Sequence, residues 1–228
     1  MADVNVSGIL SCTDGTIIPL SATITEGTET NLTTSTKYTI TASNVGDYAP
    51  GKTITSGYIQ ADHNISYAYI LRQGLIACIL PVGVKGLACK APLPLCAPFT
   101  LQPGDIVRAL PVTAASRATA TCVYTNQGVY RIFDVDSASG DVEPVDLQTN
   151  NSVGDTLQGQ VIMKAFCSAG SLANAEKVDI GGALMINEKG MPVGAVPANS
   201  PANENVYYSD VRIPVALNFK WRITSSAR

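Results

Sequence analysis

Apolar and polar residues alternate with a period of two along much of this chain. Residues 17–25 and 36–42 carry β-branched and aromatic side chains spaced by two, and a Gly or Asn follows each run. The segments 118–135 and 183–193 show strand patterns on both sides of a Gly-containing turn, which predicts two hairpins. Alternation of this kind is typical of antiparallel sheets with one face toward solvent.

Residues 66–71 lead into a nearly continuous apolar run over 75–84, and this pattern predicts buried strands. A short helix over 66–80 is the alternative, although Gly74 and Pro81 count against a long one. Pro103-Gly104-Asp105 has the composition of a tight turn, because proline fixes φ and glycine accepts a positive φ. Further strands are predicted over 106–110, 159–166, 206–213 and 215–223, and one or two helical turns over 171–178.

The predicted fold class is all-β, because no 3.6-residue periodicity lasts beyond about three turns. We expect an antiparallel β-sandwich or barrel with long loops and little helix, of which a jelly roll is one form. Residues 1–228 are expected to form a single domain with a polar N-terminal segment, about residues 1–15, and a C-terminal strand. A split into two lobes near 100–105 is the alternative. The sequence shows no internal repeat of fixed length.

Charged residues are scarce, at 14% of 228 residues, so Thr, Ser, Asn, Gln, Gly and Ala must supply most of the surface. Burying a hydroxyl or amide that finds a partner costs far less than burying an ion. Such an exterior suits a protein that is covered by other subunits. The net charge of −3 and the absence of a Lys/Arg run argue against direct nucleic-acid binding by the folded body.

The first residues carry neither a basic region nor an apolar stretch, so we expect no signal peptide and synthesis in a host cytoplasm. The most apolar region, residues 67–110, is interrupted by charged residues and prolines and predicts no membrane span. In that compartment the cysteines are expected to stay reduced and to act as small core residues. A Cys89–Cys96 disulfide is the one pairing that stays open. The six cysteines are Cys12, Cys78, Cys89, Cys96, Cys122 and Cys167.

The sequence contains few residues in patterns typical of catalytic or metal-binding sites. His63 is the only histidine, the chain has no Gly-x-Ser-x-Gly and no Cys-x-x-Cys, and His63 is expected to lie in a turn. A loop with four carboxylates has candidate groups for calcium binding or acid–base catalysis, but its spacing departs from a calcium loop and favours a solvated turn. We therefore predict no catalytic, cofactor or metal site. The four carboxylates are Asp134, Asp136, Asp141 and Glu143.

Six aromatic residues are candidates for a sugar-binding platform. The alternation around Trp221 instead favours a core position for that residue. The full set is Tyr58, Tyr67, Tyr69, Tyr207, Tyr208 and Trp221.

The sequence thus favours a non-enzymatic structural protein that assembles into a large symmetric lattice. The specific expectation is a capsid protein or a capsid decoration (cement) protein of a phage or virus. It would be located in the virion, as a homo-oligomer, with other capsid subunits, or both. Polar segments near the start and around 194–205 would be arms or loops reaching neighbours. The alternative is a carbohydrate- or receptor-binding β module of a virion tail or a cell surface.

Overall fold

The structure is a computed structural model of the chain. The residues that it describes are 3–25, 28–34, 45–62, 64–82, 92–112, 118–136, 146–150, 152–168, 178–199 and 208–227. The chain divides into two compact units, unit 1 (Met1–Pro111) and unit 2 (Val112–Arg228). Antiparallel strands dominate both units, so the all-β prediction is confirmed.

Unit 1 contains one sheet of eight strands in the order β6-β5-β8-β3-β2-β1-β4-β7. A parallel bridge joins Ile59 of β4 to Val82, just beyond β6, so the two ends of the sheet approach each other. The result is a nearly closed, barrel- or sandwich-like sheet. Its elements are β1 (Asp3–Cys12), β2 (Ile17–Thr25), β3 (Thr30–Thr34), α1 (Val45–Tyr48), β4 (Thr53–Ala61), β5 (Asn64–Arg72), β6 (Leu75–Leu80), β7 (Leu93–Thr100) and β8 (Ile106–Val112).

Unit 2 also contains one sheet of eight strands. Seven follow the order β10-β9-β12-β14-β13-β16-β11, and β15 pairs with β12. Its elements are β9 (Ala118–Thr125), β10 (Tyr130–Asp136), β11 (Asp146–Asn150), α2 (Val153–Leu157), β12 (Val161–Ser168), β13 (Val178–Ile186), β14 (Pro192–Asn199), β15 (Ser209–Pro214) and β16 (Lys220–Ala227).

The beginning of the chain is a central strand and not a polar arm. β1 pairs with β2 on one side and β4 on the other, and Val4, Val6 and Leu10 are buried while Asp3 and Asn5 are exposed. The period of two directs every second side chain into the core of unit 1. Residues 194–199, also expected to belong to an arm or loop, are part of β14, and 200–205 lie outside the described residues.

Both predicted hairpins are present, as β9–β10 and β13–β14. The segment 66–80 is a hairpin and not a helix, because Gln73 and Gly74 both adopt positive φ and reverse the chain between β5 and β6. The predicted strand over 215–223 is only partly correct. A turn at 216–219 interrupts its alternation, and β16 begins at Lys220. The predicted strand over 36–42 and most of the helical segment over 171–178 lie outside the described residues.

The two units share one fold. β1 pairs with β2 and β4 as β9 pairs with β10 and β12, and the pairs β4–β7, β5–β6 and β3–β8 recur as β12–β15, β13–β14 and β11–β16. The parallel Ile59–Val82 bridge also recurs, as Cys167–Ala198. Each unit places its short helix between its third and fourth strands. The chain therefore contains two eight-stranded units of closely similar strand topology.

Local backbone details follow the same correspondence. Val45-Gly46-Asp47 opens α1 and Val153-Gly154-Asp155 opens α2. Five residues after the helix glycine, each unit has a glycine with positive φ, 76° at Gly51 and 78° at Gly159. The separation between equivalent residues changes from loop to loop, as in Gly15/Gly128 and Gly46/Gly154. A repeat of fixed length is therefore absent although the fold is repeated.

Candidate functional site: the turn ends of the two units

Four turns meet at one end of unit 1. We call residues 13–17, 49–52, 73–75 and 101–105 the unit 1 turn end. The Thr13 N–H donates to the Thr53 carbonyl oxygen at 2.9 Å, which ties the first turn to the start of β4. Gly51 donates to the Leu101 carbonyl oxygen, and Leu101 in turn donates to that of Lys52, which ties the second turn to the fourth. Backbone hydrogen bonds thus fix this end with little dependence on side-chain identity.

An ion pair next to the remaining turn, residues 73–75, ties it to the turn at 101–105. The Arg72 guanidinium, at the end of β5, donates from Nε and Nη2 to both Asp105 carboxylate oxygens at 2.8 and 2.7 Å. Nη2 also donates to the Thr100 carbonyl oxygen, and the Arg72 guanidinium lies 4.6 Å from the centre of the Phe99 ring. The Asp105 carboxylate is fully buried and also accepts from the Gln102 N–H. This two-pronged geometry is the strong form of a charge-assisted hydrogen bond, and it raises the pKa of Arg72.

A second ion pair lies on the surface of this end. Lys52 Nζ donates to the Asp14 carboxylate, and the pair links the first turn to the second. This hydrogen bond, with a further one from Thr16, lowers the pKa of Asp14 below its ordinary value. The charges of Lys52, Asp14, Arg72 and Asp105 are thus compensated within the turn end itself.

Unit 2 repeats the backbone arrangement of these four turns. We call residues 126–129, 157–160, 187–193 and 215–219 the unit 2 turn end. The Asn126 N–H donates to the Val161 carbonyl oxygen, as Thr13 does to Thr53 in unit 1. Gly159 donates to Val215, and Val215 donates to Gln160, as Gly51, Leu101 and Lys52 do in unit 1. The remaining turn, residues 187–193, lies next to the turn at 215–219, because Ile186 pairs with Lys220 at the adjoining ends of β13 and β16.

Each short helix requires a glycine where it packs against a turn end. A Cβ on Gly46 would overlap the Gln102 carbonyl oxygen and lie 2.8 Å from the Asp105 nitrogen. A Cβ on Gly154 would lie 2.7 Å from the backbone nitrogens of Asn218 and Phe219. Both contacts are with backbone atoms, so the short helix can approach the turn this closely only without a side chain.

The turn ends contain most of the exposed large apolar side chains that the structure describes. Among the residues whose side chains the structure describes, six large apolar side chains are more than a third exposed, and five of these belong to the turn ends. Leu75 is the most exposed, at 73%. The exception is Met163, on β12. The five are Ile17 and Leu75 in unit 1, and Met191, Val193 and Leu217 in unit 2.

The residues considered for catalysis or metal binding do not form a site within the described part of the chain. His63, Asp141 and Glu143 lie outside it, while the backbones of Asp134 and Asp136 belong to β10. No group of three His, Cys, Asp or Glu side chains with metal-binding geometry occurs among the described residues.

Four of the aromatic candidates are buried. Tyr58 and Trp221 are 1% and 0% exposed, and Tyr67 and Tyr69 are below a tenth. The core position predicted for Trp221 is confirmed. The Tyr208 ring packs edge-on against Phe166, with ring centres 5.0 Å apart, and Tyr207 lies outside the described residues. These rings therefore offer little face to a sugar.

Cys78, Cys122 and Cys167 occupy the interior, as the apolar runs around them predicted. Cys12, Cys78, Cys122 and Cys167 are buried, and Cys96 is half-buried on β7. Burial raises the pKa of the Cys167 thiol to about 12, against an opposing hydrogen bond from Thr121. Cys89 lies outside the described residues, so its pairing with Cys96 stays a prediction.

A small groove in unit 1 has a volume of about 220 Å³. Its wall combines two polar side chains, an aliphatic one and a buried tyrosine, and no charged group. It is lined by Ser7, Gly8, Ile9, Tyr58 and Gln60. Within the described part of the chain, none of the helices is long and apolar enough to cross a membrane.

Sequence reasoning missed the turn ends, although one signal was available. Val-Gly-Asp occurs at 45–47 and again at 153–155, and each copy precedes another glycine at the same distance. Taken singly, these glycines indicate ordinary turns; taken together, they mark equivalent positions. The comparisons with known proteins add nothing to this, since no family model, curated protein or solved structure matches the chain.

Proposed function

We propose that this chain is a non-enzymatic structural protein that assembles into a large symmetric lattice, as a capsid or capsid decoration protein of a phage or virus. The observation that carries the proposal is the repeated topology: one chain has two equivalent turn ends, each held by backbone hydrogen bonds and each with exposed apolar side chains. Two equivalent surfaces suit a partner that offers the same contact many times, as a symmetric shell does.

The scarcity of charge supports the same proposal. A surface of hydroxyl and amide side chains loses little free energy when neighbours cover it, provided that its polar groups find partners. The turn ends need little rearrangement before contact, because hydrogen bonds and left-handed glycines already fix their turns. Preorganised surfaces avoid part of the ordering cost of association.

Electron microscopy and particle composition test the proposal. The purified full-length chain, examined over a concentration series, should form rings, sheets or shells, or else should bind purified virus particles from the same source. Mass spectrometry of those particles should detect the chain in a fixed ratio to the principal shell subunit. A chain that stays monomeric, binds no particle and is absent from purified particles would rule the proposal out.

A further inference from the structure

We infer that the two turn ends are self-association surfaces, through which copies of this chain contact one another. The inference rests on the proposed function, because it names the partner that the lattice contacts would use. Its starting point is the distribution of exposed apolar side chains. Single exposed apolar residues are normal on a protein surface. Here five of six are confined to two equivalent ends.

The apolar residues persist in both units although their identities differ. Leu75 follows the β5–β6 turn, and Met191 lies in the equivalent β13–β14 turn, with exposures of 73% and 57%. Pro103 and Leu217 are equivalent in the turns that join the last two strands of each unit, and both are exposed. Exposure of an apolar side chain gives an isolated unit no stability. Its occurrence at equivalent tips of both units is explained if the tips are buried in the assembly.

The charges favour a second copy over a charged partner. In the unit 1 turn end, Lys52 pairs with Asp14 and Arg72 with Asp105. In the unit 2 turn end, Glu188 and Lys189 are neighbours in one exposed turn. Surfaces whose charges are compensated exert little long-range attraction on an oppositely charged partner. They also allow two similar surfaces to approach without repulsion, and the gain then comes from apolar burial.

The presence of two ends on one chain determines what such contacts would build. A protein with a single self-associating patch forms a pair and stops. A chain that binds one neighbour through each of two ends continues, and it closes into a ring or extends into a lattice according to the geometry. This is the behaviour that the proposed structural role requires.

Sedimentation equilibrium of the full chain over low to high micromolar concentrations tests the inference. The variants are Leu75→Ser, Met191→Ser and the double variant, with Met163→Ser as the matched control, since Met163 is exposed but lies outside the turn ends. Circular dichroism and thermal melting would verify that each variant is folded. The substituted residues are exposed, so their replacement leaves the cores intact.

We expect the wild-type mass to rise with concentration, and each single substitution to weaken association about tenfold to a hundredfold. The double variant should be monomeric, and Met163→Ser should behave as the wild type. A double variant that associates as tightly as the wild type overturns the inference while the proposed function stands. A wild-type chain that is monomeric throughout also overturns it, and the particle experiment then decides the proposed function separately.

Discussion

Asp105 and Phe219 occupy the same position in the two units, at the end of the turn between the last two strands. The backbone carbonyl oxygen of each accepts a hydrogen bond from the helix glycine, from Gly46 at 3.0 Å and from Gly154 at 2.9 Å. The side chains at this position are stabilised by different interactions in the two units. The Asp105 carboxylate is fully buried and paired with Arg72, whereas Phe219 packs against the apolar core of unit 2.

Breaking the ion pair between Arg72 and Asp105 should destabilise the protein more than replacing both residues by apolar ones. In Arg72→Met the Asp105 carboxylate stays buried without its counter-charge, and we expect a loss of about 3 kcal/mol in the free energy of unfolding. The double variant Arg72→Met/Asp105→Leu should lose less, since unit 2 shows that an apolar residue fits this position. Urea unfolding at neutral pH measures both. A double variant less stable than Arg72→Met would contradict the expectation.

The helix glycines should tolerate no side chain. Gly46→Ala and Gly154→Ala each place a methyl group against backbone atoms, so we expect each to cost about 3 kcal/mol. Gly51→Ala is the matched control, since its Cβ would enter open space and only the positive φ is strained, at a cost of about 1 kcal/mol. Thermal melting of the three variants measures the order of their losses in stability. Equal losses in Gly46→Ala and Gly51→Ala would show that the close approach does not matter.

The hairpins could be predicted from the sequence because their signals are local. Alternation and a turn residue occur within one short segment, as in β9, the turn at Gly128 and β10. The same local signal misled at 215–223. There Val215 and Trp221 are buried as alternation requires, but Leu217 lies at the tip of a turn and is 52% exposed.

The repeated topology could not be predicted in the same way, because most of what the units share is backbone geometry. The turn that contains Gly104 in unit 1 contains Asn218 in unit 2, and both adopt positive φ, at 87° and 65°. Asn tolerates this conformation better than most residues with a side chain. Hydrogen bonds between backbone groups allow Asp105 to correspond to Phe219, so little sequence similarity survives outside the Val-Gly-Asp segment.

Glu29 should make the stability of the protein depend on pH. Its carboxylate accepts a hydrogen bond from the buried Tyr69 hydroxyl, and partial burial raises its pKa above 4.5 against the opposing charge of Arg108. The folded state therefore holds the Glu29 proton more tightly than the unfolded state. The resulting stabilisation is fully present below pH 4.5 and is lost as the pH rises through the raised pKa.

Glu29→Gln removes this dependence and should be more stable than the wild type at neutral pH. Its advantage should shrink as the pH falls, because the wild-type carboxyl then becomes neutral as well. Urea unfolding at several pH values measures the difference, and Glu188→Gln, at an exposed position, controls for the loss of one carboxylate. An advantage of Glu29→Gln that is the same at all pH values would contradict the proposed cause.

Trp221 should tolerate shortening to phenylalanine better than its complete burial suggests. It is the only tryptophan and is 0% exposed in the unit 2 core. Its indole N–H has no hydrogen-bond acceptor among the described residues. Burying an unpaired donor costs about 1–3 kcal/mol.

Trp221→Phe removes that donor together with part of the ring. Because the burial cost of the donor disappears, this gain offsets part of the cost of the cavity, and the net loss in the free energy of unfolding should stay below about 2 kcal/mol. Trp221→Ala removes the same donor but leaves a much larger cavity, and it should lose about 4 kcal/mol. Urea unfolding followed by circular dichroism compares both with the wild type, because fluorescence is lost with the tryptophan. A loss in Trp221→Phe as large as the loss in Trp221→Ala would contradict the expectation, because it would show that removal of the donor does not offset the cavity.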